Sequence, residues 1–528
     1  MARAETVEAP ELARPGQRRA AGGGPSRAAV AGIAAAALAL GVSELLAGLV
    51  SAAPSLVLAV GARVVDAVPA PVKNFAIAVF GTADKKALLV GIVVLSVAAG
   101  AALGVAARRR FALGVAGFAA FALLGAWAAT REIQSSALLG AASAVVSATA
   151  GVGALRLLLG AATAADTALR SGTGGGRRAF LRLVGIAATA AVASAVVGRS
   201  LVQRTAVVAT RAGLVMPPPA RVLPPPPETA TLDVEGLTPL FTPNADFYRI
   251  DTALSVPRVD VATWRLKVGG MVDRPFELSY DELQALGVVE VDVTIACVSN
   301  EVGGGLIGNA RWLGVPLAAV LERAGVQDGA SQVVGRSVDG WTAGFPTELA
   351  LDGRNAVVAV GMNGEPLPLE HGFPARLVVP GVYGYVSATK WLAEIELTTW
   401  EAFDGYWVPR GWAKEGPIKT QSRIDVPRAG AAVAAGRQPI AGVAWAQHRG
   451  VEAVEVQVDD GAWEPARMAE ELDVDVWRQW VLEWDATPGP HVLRVRATDA
   501  DGATQTEQRA PVAPDGASGW HTVHVNVT

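Results

Sequence analysis

The 528-residue chain carries a net charge of −4, so no basic field points to nucleic acid as a partner. Its single cysteine excludes an intrachain disulfide framework. Only 18% of its residues are charged and its mean hydropathy is +0.34, which excludes a chain that is soluble throughout.

The average hides two halves. Residues 28–200 are dominated by Ala, Val, Leu and Gly, whereas all but one of the 14 Trp lie beyond residue 260. A bilayer core needs about 20 apolar residues per helix. Five such stretches are predicted, at 28–50, 87–107, 111–130, 135–160 and 180–198. The first is too long, and too closely followed by others, to be a cleaved signal peptide. Arg3, Arg14, Arg18, Arg19 and Arg27 precede it. Arg108, Arg109 and Arg110 separate the second and third stretches, and Arg170, Arg177 and Arg178 the fourth and fifth. With five spans, all three basic groups fall on one side, which the positive-inside tendency makes cytoplasmic. Residues 1–27 then read as a cytoplasmic basic tail, 28–200 as an all-α transmembrane anchor embedded in the cell membrane, and the rest as extracytoplasmic. Segment 51–86 carries Arg63, Lys73, Lys85 and Lys86. It is expected to be re-entrant or interfacial, since one more span would spoil the charge pattern.

Arg177-Arg178-Ala179-Phe180-Leu181, followed by an apolar run, resembles a twin-arginine export signal. The plain alternative is a positive-inside flank. Its place on the last helix, directly before the soluble half, favours the signal. The membrane half contains no His, since the first is His371, so it lacks ligands for a bis-histidine haem. Glu44 is its clear mid-helix acid. Intramembrane acids are functional candidates, but one isolated Glu leaves an anchor as the expectation.

"MPPPARVLPPPPE", 216–228, lies within a linker at 201–231 and predicts an extended, semi-rigid spacer of roughly 35 Å at most. "WRLKVGGMVDRPFELSYDELQAL", 264–286, reads as a strand, a Gly269-Gly270 turn and a helix whose Ser279 and Glu282 have capping-box spacing. "GVPLAAVLERAGV", 314–326, predicts a short amphipathic helix, and "ARLVVPG", 375–381, a buried strand. This mixture predicts an α+β domain over 232–416. From 417 to 528, short alternating strands with Gly/Asp turns predict an immunoglobulin-like β-sandwich without a disulfide.

Cys297 ends an apolar run and opens a Gly- and Asn-rich loop, "TIACVSNEVGGGLIGNARW". Three readings stay open on its chemistry alone. A free Cys is commonly a buried structural thiol. It could be a nucleophile, with His371 the only His in the same domain. It could be a metal ligand, although one Cys and one or two His cannot complete a zinc site.

"TIACVSNEVGGGLIGNARWLGVPLAAVL" and "GEPLPLEHGFPARLVVPGVYGYVSATKWLAEIEL", 364–397, resemble the sulfite oxidase family of molybdenum enzymes, in a membrane-anchored actinobacterial type. The resemblance extends over 235–525, and the β-sandwich is similar to the family's dimerisation domain. It implies a molybdenum–molybdopterin cofactor with Cys297 as the sole protein ligand to the metal, an assignment soft thiolate chemistry supports. Molybdenum would cycle between +6 and +4 as an oxygen atom moves between metal and substrate. By the same resemblance, Asn244, Tyr248 and Arg249 in "TPNADFYRIDTA" grip the pterin pyrophosphate. Ser337 touches the cofactor, as do His371 and Arg376 in "HGFPAR". Ser387, Thr389 and Lys390 in "SATKW" hold the phosphate. Buried polyanions need backbone N–H and Arg or Lys donors. Sulfite oxidases proper follow the Cys with Ala-Gly-Asn-Arg-Arg. Here Asn300 remains, but Glu301 and Val302 replace the arginines, and Trp341 stands where the active-site tyrosine falls. The catalytic set expected from this is Cys297, Asn300, Glu301 and Trp341. A small-molecule substrate, a separate electron carrier and a homodimer are implied. The alternatives are sulfoxide-reductase-like activity with an electron-donating partner, or a cofactor-free binding scaffold.

Overall fold

The computed structural model describes residues 23–50, 53–69, 72, 75, 79–80, 83–132, 136–170, 175–203 and 206–528. Arg3, Arg14, Arg18, Arg19 and Lys73, on which part of the topology expectation stands, lie outside the described residues. The chain divides into two compact units, one ending at Val202 and one beginning at Gln203, the second also taking in Val68–Asn74.

The first unit is helical: α1 (Gly23–Leu49), the shorter α2 (Leu56–Ala67), α3 (Asp84–Arg109), α4 (Phe111–Ala129), α5 (Ala137–Arg170) and α6 (Gly175–Gln203). Five of these, all but α2, are long and apolar enough to cross a membrane. Small residues set their contacts. A Cβ on Gly32 would lie 2.0 Å from the Gly100 carbonyl oxygen and 2.9 Å from Gly104 Cα. Only the missing side chains let α1 and α3 meet backbone to backbone. Charged groups gather at the helix ends. Asp166 of α5 pairs with Arg27 of α1 and Arg108 of α3. Towards the other end of α1, Glu44 accepts a 2.5 Å hydrogen bond from Ser55 and lies 3.7 Å from Arg199 of α6. The acid singled out in the sequence is therefore an ion-pair partner, and Asp166, passed over there, is its counterpart.

In the second unit the Pro-rich segment is not a free spacer. Arg221 bridges in parallel to Val289, and the Leu223 N–H donates to Glu290 at 2.8 Å. Arg311 donates to the Leu223 and Pro224 carbonyls at 3.4 and 3.0 Å. Proline supplies no ladder N–H, so this segment suits the edge of the strand Val289–Ala296 on which it lies.

Two sheets follow. One orders Phe276–Leu278, Leu266–Gly270, Leu392–Thr398, Gln332–Ser337 and Thr342–Pro346. The other orders Val289–Ala296, Ile307–Pro316, Val357–Met362 and Glu365–Pro366, with Arg376–Val378 pairing the third. The capping box forms as its spacing predicts: Ser279 Oγ accepts from the Glu282 N–H, and the Glu282 carboxylate accepts from the Ser279 N–H at 2.8 Å. The helix Leu317–Ala324 begins directly after Pro316.

Beyond residue 420, a four-stranded sheet and a five-stranded sheet enclose an apolar core of Ile440, Val456, Trp480, Leu493 and Val495. A second core runs across the expected border at 417. Val443, Trp445, Val476 and Trp477 cluster with Leu266, Leu317, Val358 and Leu392. The β-rich half also bonds the strand that leads to Cys297. Thr294 Oγ1 accepts from the Trp477 N–H at 2.8 Å, and the Thr294 N–H donates to the Asp475 carbonyl at 2.9 Å. The Thr294 carbonyl accepts from Gln447 at 3.2 Å.

Candidate functional site

The strand Val289–Ala296 is buried over its last six residues and delivers Cys297 to one end of its sheet. The loop that follows is pinned on both sides. Asn300 Oδ1 accepts the Leu306 N–H at 2.7 Å, and the Glu301 carbonyl accepts the Gly304 N–H at 2.8 Å. Gly303 has φ +78, and a Cβ there would lie 2.2 Å from the His521 ring. Arg423 donates to the Gly304 carbonyl at 2.9 Å. The β-rich half thus holds the loop as well as the strand.

Cys297 lines a cavity together with Tyr248, Ser337, Trp341, Arg376 and Lys390, all expected at the site. Burial pushes the Cys297 thiol pKa up, opposed by the Ser299 N–H, which donates to Sγ at 3.4 Å. Burial also raises the Tyr248 phenol.

The deep side of the cavity is cationic and short of counter-charges. Gly372 (φ +110) has no side chain where one would press on both Arg376 and Lys390, each 3.1 Å away. Its left-handed backbone suits glycine, and the missing side chain leaves room for both residues. Arg376 is 3% exposed. It donates to the His371 and Leu377 carbonyls at 3.2 and 3.4 Å, and its guanidinium lies over the Trp312 ring at 5.1 Å. Among the described residues no carboxylate forms an ion pair with it. Burial lowers its pKa to about 10. Lys390 is lowered to about 8 by burial, although Asp251 lies 3.3 Å away and opposes the shift. His371 is lowered to about 4 by burial, then by the charges of Arg376 and Lys390. Its Nε2 meets the Asn244 carbonyl at 3.1 Å, while Nδ1 and the Thr389 hydroxyl are buried without a partner. Neither His371 nor Thr389 lines the cavity, but the unbalanced charge of Arg376, which does, is costly unless a ligand completes it.

Other expected residues support rather than line the cavity. Asn244 donates to Glu365 at 2.6 Å and to the Met362 carbonyl at 3.2 Å. Ser387 Oγ donates to the Tyr383 carbonyl at 3.1 Å. Arg249 is half-exposed and pairs with Asp251 at 2.9 Å. Asn300 and Glu301 do not stand in the cavity as expected. The tight turn after Cys297 engages the Asn300 carboxamide and turns Glu301 into solvent. The acids that do line it are Asp251 and Asp339.

The outer side was missed in the sequence. It consists of Tyr385, Trp407 and Trp412 beside Trp341 and Asp339. Trp407 meets Trp412 nearly at right angles, centroids 6.2 Å apart, and Trp412 meets Tyr385 at 5.9 Å. The Tyr385 hydroxyl donates to the Ala413 and Glu415 carbonyls at 2.8 and 3.1 Å, which fastens the Trp412 segment over the cavity. The aromatic density of "YWVPRGW", 406–412, was the available signal.

A lone thiol beside a buried, cationic recess fits a redox cofactor with a polyanionic tail. The family model described as "oxidoreductase molybdopterin binding domain" matches residues 253–407. Mitochondrial sulfite oxidase of Mus musculus is 32% identical over 355 residues, 57% of this chain and 63% of that protein. Sulfite oxidase of Gallus gallus is 30% identical over 323 residues, 51% of this chain and 69% of that protein. The uncharacterized oxidoreductase YuiH of Bacillus subtilis is 37% identical over 157 residues, 30% of this chain and 76% of that protein. The chain belongs to the sulfite oxidase family of molybdopterin-dependent oxidoreductases. It spans just under two thirds of the length of the Mus musculus relative. The residues present fit the family's cofactor, since Arg376 and Lys390, both lining the cavity beside Cys297, are the donors such a polyanion needs.

Proposed function

We propose that this chain is a membrane-anchored molybdenum oxidoreductase whose catalytic half works outside the cytoplasm. The observation that carries the proposal is Arg376, buried beside Lys390 without a carboxylate partner, in the cavity that the only cysteine lines. Arg376 and Lys390 would hold the anionic tail, with the His371 carbonyl accepting from the Arg376 guanidinium to position it. At its lowered pKa His371 is neutral at pH 7, and because its Nε2 faces the Asn244 carbonyl oxygen, Nε2 carries the proton and Nδ1 is an acceptor. Cys297 Sγ would be the protein ligand to the metal. Its raised pKa belongs to the free thiol, and metal ligation removes that proton outright. When bound, the cofactor supplies oxygen-atom transfer, a two-electron change. The aromatic side shields the reacting centre from water, and the turn at 300–304 holds Cys297 in place.

The wider assignment keeps 28–200 as the anchor, with Arg27 and Arg108 at the cytoplasmic end. Their shared pairing with Asp166 supports that grouping. Arg177 and Arg178, both exposed in the first turn of α6, would act as a twin-arginine signal. Residues 232–416 would carry the cofactor, and 417–528 would form the immunoglobulin-like, dimerising part. A separate carrier would exchange the electrons. The test is metal and pterin analysis of the purified full chain. About one molybdenum and one pterin per chain is expected, and their absence after expression in a molybdopterin-competent host would overturn the proposal.

A further inference from the structure

The cofactor-facing side of the cavity accounts for Arg376, Lys390 and Cys297, and leaves the outer side unexplained. That side is aromatic. Trp341, Trp407 and Trp412 are each half-buried, so their rings are shared between cavity and solvent, and Tyr385 closes the wall behind them. Trp407 and Trp412 stand at 73° to one another, as two adjoining walls of a box do. The lining contains two cations, Arg376 and Lys390, and both belong to the deep side. The charged residue among the aromatic ones is Asp339, whose Oδ1 accepts the Trp341 N–H at 3.1 Å. That backbone N–H bond ties the carboxylate to the Trp341 segment, and both residues line the cavity.

Aromatic faces carry negative quadrupole charge and attract cations, most strongly where water is displaced. A carboxylate beside them adds to that field and repels anions. We infer that the outer cavity is a substrate-selecting box for an organic molecule that carries no negative charge and is favoured when it carries a positive one, such as an alkylated ammonium. Inorganic oxyanions are selected against. The selectivity rests on the cofactor assignment above, because Arg376 and Lys390 would attract anions unless the cofactor neutralised them.

Isothermal titration calorimetry on the full chain in nanodiscs tests this, with molybdenum content measured on the same sample. The probes are benzyltrimethylammonium (cationic), methyl phenyl sulfoxide (neutral) and benzenesulfonate (anionic), which share one ring and differ in charge. In molybdenum-loaded protein the cation is expected to bind at least tenfold tighter than the anion, with the neutral probe between. Asp339→Asn should remove most of the cation's advantage over the neutral probe. Trp412→Ala should weaken both by about tenfold, and Trp412→Phe should restore most of that loss. Anion binding equal to or tighter than cation binding in loaded protein would overturn the inference. So would a Trp412→Ala protein that melts like the wild type yet binds both probes unchanged. A sample without molybdenum overturns the cofactor assignment instead, and the two failures are read from different measurements.

Discussion

The two sides of the Cys297 cavity are built from opposite chemistry. The deep side holds the buried cations Arg376 and Lys390, and among the described residues only Lys390 has a carboxylate partner, whereas the outer side is aromatic, self-packed and acidic. In the proposed enzyme one side would be completed by a ligand and the other would merely admit one. Resident cofactor and passing substrate impose different demands. A group that stays can neutralise charges the fold leaves open, while a group that leaves must not be needed for the fold to close.

If that division is right, damage to the two sides should differ in kind. The largest effect is expected from Cys297→Ser, with turnover falling by about a thousandfold or more, which corresponds to roughly 4 kcal/mol at the transition state. The thermal melt should stay within a few degrees of the wild type, because the hydroxyl replaces a thiol of similar size. Steady-state kinetics together with a melt check this.

Arg376→Met sharpens the contrast. Molybdopterin retention should fall at least tenfold, while cofactor-free protein should become more stable by about 1 kcal/mol, since an uncompensated buried charge has been removed. Parallel melts of loaded and cofactor-free samples would show the sign change. An equivalent change on the outer side, Trp412→Ala, should leave retention unaltered.

A smaller effect comes from pH. Lys390 has its pKa lowered to about 8 in the cofactor-free fold, and an anionic partner raises it again. The bound state then holds more protons than the free state above pH 8. Cofactor affinity should be full below about pH 8 and fall as pH rises through the raised value, measurable as pterin release between pH 7 and pH 10. In Lys390→Met that slope should largely vanish.

The smallest effect is Glu301→Arg. Because Glu301 faces solvent, the ratio of kcat/KM for sulfite to that for a neutral sulfoxide should change by less than about twofold. Sulfite itself should remain a poor substrate, for the absence of an outer-side arginine rather than for the presence of Glu301. A large gain in sulfite turnover would show that the loop after Cys297 reaches the substrate.

How legible each side was in the sequence follows the same division. The deep side is made of short contiguous segments, the strand ending in Cys297, "HGFPAR" and "SATKW", whose residues act from the positions where local structure leaves them. The long helices of the first unit were likewise visible as continuous apolar runs, and several strands of the second as short apolar or alternating stretches. The outer side was not. Trp407 and Trp412 sit in an irregular stretch between sheets that is held by bonds distant in sequence, among them those from Tyr385 to the Ala413 and Glu415 carbonyls and from Ala413 to the Pro514 carbonyl. Glu301 misled because its neighbour in sequence is the proposed ligand, and a turn closed by Gly304 reverses its direction. Arg249 differs again, since it is half-exposed and pairs with the buried Asp251, two residues on, rather than lining the cavity. The Pro-rich stretch announced extension but not the strand edge against which it would lie.

X-ray absorption at the molybdenum edge of the full chain tests the central claim most directly, with wild type and Cys297→Ser compared at equal metal loading. The account predicts one sulfur fewer around the metal in the variant, its place taken by a lighter oxygen or nitrogen scatterer. An unchanged sulfur shell would contradict it, because the metal would then be held without Cys297.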